Sequence, residues 1–509
     1  MTEAVDRGTE RWALAATILA SSMAFVDGSA LNVALPALQA SLHASGAQLL
    51  WIVNGYLLML ASLILVGGTL GDRLGRKKVF QAGIGLFMLA SLGSGLSPTV
   101  EWIIPARIVQ GIGGSLMIPG SLALISALLP PDRRGRAIGT WSAATTLVNV
   151  AGPVLGGFLA DHGLWRGVFL INLPLGVIAL AVLAWKVPES RDESASGPLD
   201  FLGAALVTAG LAGVSYGFLS APDLGFSDPR VFAPLALGIV ALAAFVLVEA
   251  RKAHPMMPLG LFKSSDFSGA NLLTLFLYGA LSAVSFFVSL DLVQVQGYSK
   301  TEAGLSFLPF AILLTVMSRW AGGLVDRRGP RLPLTVGPTL VGCGFFWLAF
   351  TGVTSGPGAY WTTFFPGMFL FGVGMGLTVA PLTATVMGSV ASHLAGTASG
   401  INNAVSRIAG VLAIATLGAA ALIMFAGQME GRAASIDLSA QARQELHVQA
   451  RNLSGAVVPA SVGQGQTAAV ESAIKDSFAQ TFKVVVLACA GLAWASALAT
   501  LVLIGRRKK

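Results

Sequence analysis

The chain has 509 residues, 54% of them hydrophobic and only 11% charged, with a formal net charge of +8. A soluble chain carries about a quarter charged residues, so this composition excludes a water-soluble globular protein. Uncharged runs long enough to cross a bilayer recur along the sequence and predict an all-α polytopic membrane protein. Cys343 and Cys489 lie far apart in apolar segments, which excludes a disulfide framework, and no metal-ligand spacing is present.

In chain order, a short polar start (MTEAVDRGTE) precedes an apolar run too long for a signal peptide, so the first helix is expected to stay as an anchor. Uncharged runs between polar punctuation then predict about fourteen spans: 12–35, 48–70, 79–98, 101–126, 136–160, 166–186, 200–220, 231–249, 268–292, 303–323, 332–352, 360–385, 397–425 and 483–505. The double-length run 332–392 is divided at TSGPGAY (354–360), where Gly and Pro punctuate it. Alternate connecting segments hold 21 Lys and Arg against 7 in the other set. This bias predicts both termini in the cytoplasm and assigns the basic pI to topology rather than to nucleic acid. Residues 427–480, between the last two spans, are mixed in charge and rich in Ala and Gln. They read as a partly helical, solvated extracytoplasmic loop, with a gate or docking element as the alternative.

An internal repeat follows. GTLGDRLGRK (68–77) and GGLVDRRGPR (322–331) match at Gly68/Gly322, Leu70/Leu324, Asp72/Asp326, Arg73/Arg327 and Gly75/Gly329. Tandem halves of six helices with two extra spans between them give such an offset, and repeated halves around a midplane site are the architecture of secondary transporters. The predicted organisation is a six-helix bundle at 1–190, two inserted helices at 191–265, and a second bundle at 266–509 that includes loop 427–480. A carboxylate at Asp72 can pair with Arg or with a helix N-terminus. Gly68, Asp72, Arg73, Gly75 and Arg76, with Arg319, Asp326 and Arg327 in the second half, are therefore candidates for a conformational gate. Fixing topology is the alternative reading of these charges.

Asp27 is the only formally charged residue between Arg11 and Asp72. It lies roughly 12 Å from one end of span 1, and Arg107 lies roughly 9 Å from the same end of span 4. Charges at such depth face a partner or a wet cavity. Desolvation and a neighbouring Arg pull a carboxylate's proton affinity in opposite directions, which a proton-coupled site needs. Gln110, one turn beyond Arg107, shares its face. A static Asp27–Arg107 strut is the competing reading. Asp291, near the end of span 9, is either interfacial or a second acid for proton coupling. Arg407 is expected to face the protein interior, in a structural pair or, as the alternative, among the residues lining the substrate cavity. Phe25, Tyr56, Trp141 and Phe286, with Trp51, are candidates to line an apolar cavity for aromatic cations. Gly152, Gly156 and Gly157 around Pro153 form a small-residue face on span 5.

Several of these segments resemble one family. GTLGDRLGRKK (68–78) looks like the loop signature of the major facilitator superfamily, IPARIVQGIGGS (104–115) like its fourth-helix Arg–Gln–Gly motif, and NVAGPVLGG (149–157) like its antiporter Gly-Pro motif. AFVDGSALNVALP (24–36), WRGVFLINLPLG (165–176), GVGMGLTVAPLT (372–383) and AGTASGINNAVSRIAG (395–410) are similar to the fourteen-helix drug:proton antiporter branch. Asp291 departs from that branch, which more often carries an aromatic there, and Pro330 replaces a basic residue in the second loop copy. The resemblance implies the major facilitator fold and a monomeric, multi-pass protein of the bacterial inner membrane. It further implies a proton-coupled antiporter that exports amphipathic, cationic drugs or small molecules, with no cofactor beyond the proton gradient. The implied partners are the substrate, protons and the lipid bilayer. A dedicated transporter of one endogenous solute (a lipid, siderophore or amino acid) is the alternative. No phosphate-binding loop appears, and the five histidines fall in or near loops on both sides of the membrane, which argues against an enzyme.

Overall fold

The computed structural model describes residues 7–191, 200–253, 255–391 and 394–505. Backbone N–H and C=O groups in hydrocarbon must be satisfied within the chain, and the described residues answer with helices. Helices α1 (Arg7–Leu42), α2 (Gly46–Leu74), α3 (Arg76–Leu96), α4 (Val100–Leu128) and α5 (Pro131–Asp161) are followed by a broken helix, α6 (Gly167–Leu170) and α7 (Asn172–Lys186). The inserted pair is α8 (Phe201–Leu224) and α9 (Pro229–Arg251). The second half comprises α10 (Ser265–Leu290), α11 (Lys300–Leu305), α12 (Leu308–Arg328), α13 (Arg331–Leu348), α14 (Tyr360–Gly388), α15 (Ala395–Ala433), α16 (Ala440–Gln449) and α17 (Thr467–Leu503).

Thirteen helical segments among the described residues are long and apolar enough to cross a membrane. The remaining expected span is α13, 18 residues long, with Arg331 at its start and Pro338 inside it, packed between α14 and α17. The chain is a multi-pass membrane protein. The two ends of the bundle differ in charge: the turns near Arg76, Arg133, Arg251 and Arg331 form a basic end, and those near His43, Asp161, Gly297 and Thr351 a low-charge end.

In the first half, α4 packs between α2 and α3, while α1 packs on α5 and α7. In the second, α14 lies against α12 and α13, and α17 against α10 and α13. Helices α8 and α9 pair with each other, and α8 leans on α2 and α15. The most extensive contacts between the halves are α2 with α15 and α5 with α11, and α1 also touches α10 and α11.

The segment after residue 427 differs from the solvated loop expected. Helix α15 continues to Ala433, α16 follows, and α17 begins at Thr467. Leu438, Leu446, Leu453 and Val462 are buried and continuous with the main core. Gln39 of α1 donates to the Asn452 carbonyl at 3.0 Å, and Arg451 pairs with Asp223 at 3.6 Å. These buried apolar side chains dock the segment on the low-charge end as a strap, touching α1, α2 and α8 through residues 450–455.

Candidate functional site

Span 4 reads as continuous apolar helix except at Arg107 and Gln110, which sit three residues apart and so project to one side. That side meets Asp27 of α1. Arg107 Nη1 donates to Asp27 Oδ2 at 2.6 Å and to Gln110 Oε1 at 2.6 Å. Gln110 Nε2 donates to Asp27 Oδ1 at 2.8 Å, and Arg107 Nε to the Ile52 carbonyl at 3.2 Å. Asp27 and Gln110 are fully buried, and Arg107 is 1% exposed. The Tyr56 ring lies 4.5 Å from the Arg107 guanidinium carbon, and the Phe169 ring 5.6 Å.

Two buried residues that the sequence reading passed over extend the network. Ser91 accepts from Gln110 Nε2 at 3.3 Å and from Asn172 Nδ2 at 2.9 Å, and donates to the Phe169 carbonyl at 2.9 Å. Their signal was weak, being a serine and an asparagine inside apolar runs. Both Asp27 oxygens are thus engaged by donors. An ion pair this dry survives only with such complete bonding.

The structure separates Asp291 from this network. It ends α10 and opens a π-helical turn, Asp291–Val295, where Oδ2 accepts from Gln296 Nε2 at 3.0 Å. It is 1% exposed, so it is a buried residue of the low-charge end rather than an interfacial one. Arg407 of α15 lies between the halves. Its buried Nε has no hydrogen-bond partner among the described residues.

Among the aromatic candidates, Trp141 donates to Ser21 Oγ at 3.0 Å, and Phe25 and Trp141 are half-buried. Phe286 corrects the expectation: at 1% exposure it packs edge-on against Phe287 in the core of the second half, not on a cavity wall. Trp51 lies near the low-charge end, where it lines a crevice of about 500 Å³ with Tyr216 6.5 Å away.

At the basic end, Asp72 pairs with Arg76 at 2.8 Å within its own turn. The N-terminus of α3 is capped by a different carboxylate: Glu189 accepts from the backbone N–H of Lys77 at 2.9 Å and of Lys78 at 3.1 Å. Gly75 has a φ of 113°, and a Cβ there would stand 2.7 Å from the Glu189 carboxyl, so glycine is required twice over. Gly68 faces Pro119 of α4. Arg319, Asp326 and Arg327, the second copy of this loop with its flanking arginine, have side chains outside the described residues.

The Gly-Pro stretch of α5 closes the low-charge end. A Cβ on Gly152 would strike Ser29 of α1, and one on Gly156 would stand 2.2 Å from the Ala30 carbonyl oxygen. The same helix crosses to the other half: a Cβ on Gly157 would be 2.1 Å from the Lys300 carbonyl oxygen, and one on Gly304 2.3 Å from that of Pro153. Asp161 then caps α11, accepting from the backbone N–H of Lys300 at 2.9 Å and of Thr301 at 2.8 Å. Thr140, Ser142 and Asn149 of α5 and Thr315 of α12 are exposed.

The major facilitator superfamily model matches residues 17–414. The chain belongs to that family. Similar curated members include the tetracenomycin C resistance and export protein of Streptomyces glaucescens, 34% identical over 412 residues, covering 81% of this chain and 76% of that one. The multidrug resistance protein Stp of Mycobacterium tuberculosis is 34% identical, covering 81% and 75%. The cephamycin export protein CmcT of Amycolatopsis lactamdurans is 34% identical, covering 80% and 84%. Among solved structures, a bacterial homologue of the human lysosomal transporter Spinster superposes with a TM-score of 0.67 at 17% identity, covering 99% of this chain and 100% of that one. That likeness shows the major facilitator fold. This family member is a transporter and not an enzyme.

Proposed function

We propose that this transporter is a proton-coupled antiporter of the bacterial inner membrane that exports amphipathic small molecules of the drug and antibiotic kind by alternating access. The observation that carries the coupling is the buried Asp27–Arg107–Gln110 cluster. A proton added to Asp27 removes the charge that holds Arg107, so the guanidinium must find new partners or water. The cluster therefore has two bonded arrangements, and the helices that carry it, α1 and α4, have two preferred positions. Export is supported by relatives named for resistance and export.

In this reading the basic end faces the cytoplasm, with fourteen crossings and both termini there. The Asp72–Arg73–Arg76 turn gates the inner side, and the α5–α11 contact closes the outer. One chain suffices, energised by the proton gradient without a cofactor.

The test uses purified protein in proteoliposomes. An imposed pH gradient should drive accumulation of ethidium, tetraphenylphosphonium or anthraquinone-2-carboxylate in wild type. Asp27→Asn should lose gradient-driven accumulation while retaining exchange of labelled for unlabelled probe at equal pH. Equal gradient-driven accumulation in both proteins would reduce Asp27 to a strut.

A further inference from the structure

The charges at the centre of the molecule do not balance. Asp27 spends both oxygens on Arg107 and Gln110, so one carboxylate stands against two guanidiniums, and the second is Arg407. Other buried acids have at least one hydrogen-bond or ion-pair partner: Glu10 with Arg133, Asp200 with Lys252, Glu249 with the Met257 backbone N–H, and Asp291, which has no counter-ion among the described residues, with Gln296. No hydrogen bond or ion pair holds Arg407 among the described residues, and its Nε is buried.

Its position is that of a binding group. Arg407 lies 12 residues into α15, roughly 18 Å along the helix. It shares a face with Ala404, which packs into the first-half cluster around Tyr56 and Leu60. It also shares that face with Gly410, where a Cβ would meet Ser282 of α10 at 2.9 Å and Leu57 of α2 at 3.9 Å. Arg407 thus stands at the seam between the halves, on the face of α15 that carries Ala404 and Gly410. A guanidinium presents N–H donors in a planar fork that matches a carboxylate. A charged side chain at membrane depth faces a cavity or a partner, and no described residue supplies that partner to Arg407.

We propose that Arg407 is a substrate-binding residue, and that the transported molecule is an amphipathic organic acid that presents a carboxylate or phenolate to it. This replaces the cationic substrate expected from the sequence with an acidic one. It rests on the transporter reading of the same site, but not on Asp27 as proton carrier.

The test is equilibrium dialysis of protein in lipid nanodiscs, with empty nanodiscs as blank. The probes are anthraquinone-2-carboxylate, its uncharged carboxamide, and tetraphenylphosphonium. Wild type should bind the carboxylate about tenfold more tightly than the carboxamide, as expected for one charge-assisted bond. Arg407→Gln should bring the ratio near one while keeping carboxamide binding, and Arg407→Lys should retain part of it. Equal affinity of wild type for carboxylate and carboxamide overturns the proposal without any variant. So does a preference that survives Arg407→Gln, tighter binding of tetraphenylphosphonium than of the carboxylate, or no binding of any probe. If the acid preference holds while Asp27→Asn still concentrates probe on a pH gradient, the coupling reading falls and this one stands. The reverse pattern removes this one alone.

Discussion

The two halves share a loop signature and a fold plan, yet they handle charge in opposite ways. The first half encloses a neutral network in which Asp27, Arg107, Gln110, Ser91 and Asn172 bond to one another out of water. The second half carries a cation at the seam, Arg407, with no acid among the described residues to answer it, while its own buried acid, Asp291, sits away at the low-charge end with Gln296. Duplication supplies the frame, and each half then specialises. A closed network suits a group that must hold or lose one proton reversibly, and an open cation suits a ligand that comes and goes.

The sharpest way to break that contrast is to delete one cation from each half. Arg107→Ala leaves Asp27 buried and unpaired, a loss of about 3–5 kcal/mol. Arg407→Ala removes a charge with no partner and should leave stability within about 1 kcal/mol of wild type, or raise it. Thermal unfolding in detergent compares the two, and equal losses would erase the distinction. Replacing both members, Asp27→Leu with Arg107→Met, should recover most of the stability while proton-driven accumulation stays absent.

The contact that joins the halves gives the next largest effect. Gly157→Val places a branched side chain where a lone Cβ already stands 2.1 Å from the Lys300 carbonyl oxygen, so the low-charge end cannot close. Electron-spin distances between labels at positions 162 and 305 should lengthen and broaden, whereas an unchanged distribution would show that α5 and α11 tolerate the intrusion. Asp161→Asn is milder, because it weakens charge-assisted bonds to two backbone N–H groups without a clash. A cost of about 1–2 kcal/mol shifts the open fraction in the same experiment by roughly 5- to 30-fold.

The smallest effect lies outside both halves. Burial raises the proton affinity of Asp200, but hydrogen bonds from Glu249, Lys252 and the Gly203 amide outweigh it and hold the carboxyl at about 2. A depressed folded value contributes stability above the unfolded value of about 3.9 and loses it as pH falls toward 2. Asp200→Asn should therefore flatten the acid limb of the unfolding midpoint between about pH 4 and pH 2, and an unchanged limb would assign that pH dependence to other groups.

Much of this was legible in the residues. Asp27 and Arg107 stood out because each interrupts an apolar run at similar depth with opposite sign, and Gln110 because three residues on a helix share a side. The glycines around Pro153 announced close packing, although not that one glycine face meets both α1 and α11. Asp161 and Glu189 were hidden for a common reason. Each is a carboxylate at or just beyond a helix end whose partners are backbone N–H groups more than a hundred residues away, and backbone carries no signature in a sequence. The strap after residue 427 is hidden in the sequence because its polar composition masks Leu438, Leu446 and Leu453, enough to anchor it. Phe286 invites a cavity role by residue type alone, and type does not say which way a helix is turned.

The strap has a consequence for access from without. With the low-charge end outward, residues 440–455 are a piece of this transporter that a molecule too large to enter the membrane can grasp. They already tie α1, α2 and α8 together through Gln39, Gly46 and Asp223. An antibody fragment seated on α16 would act as a clasp, arresting the cycle from the cell surface without competing for the drug or needing to cross the bilayer.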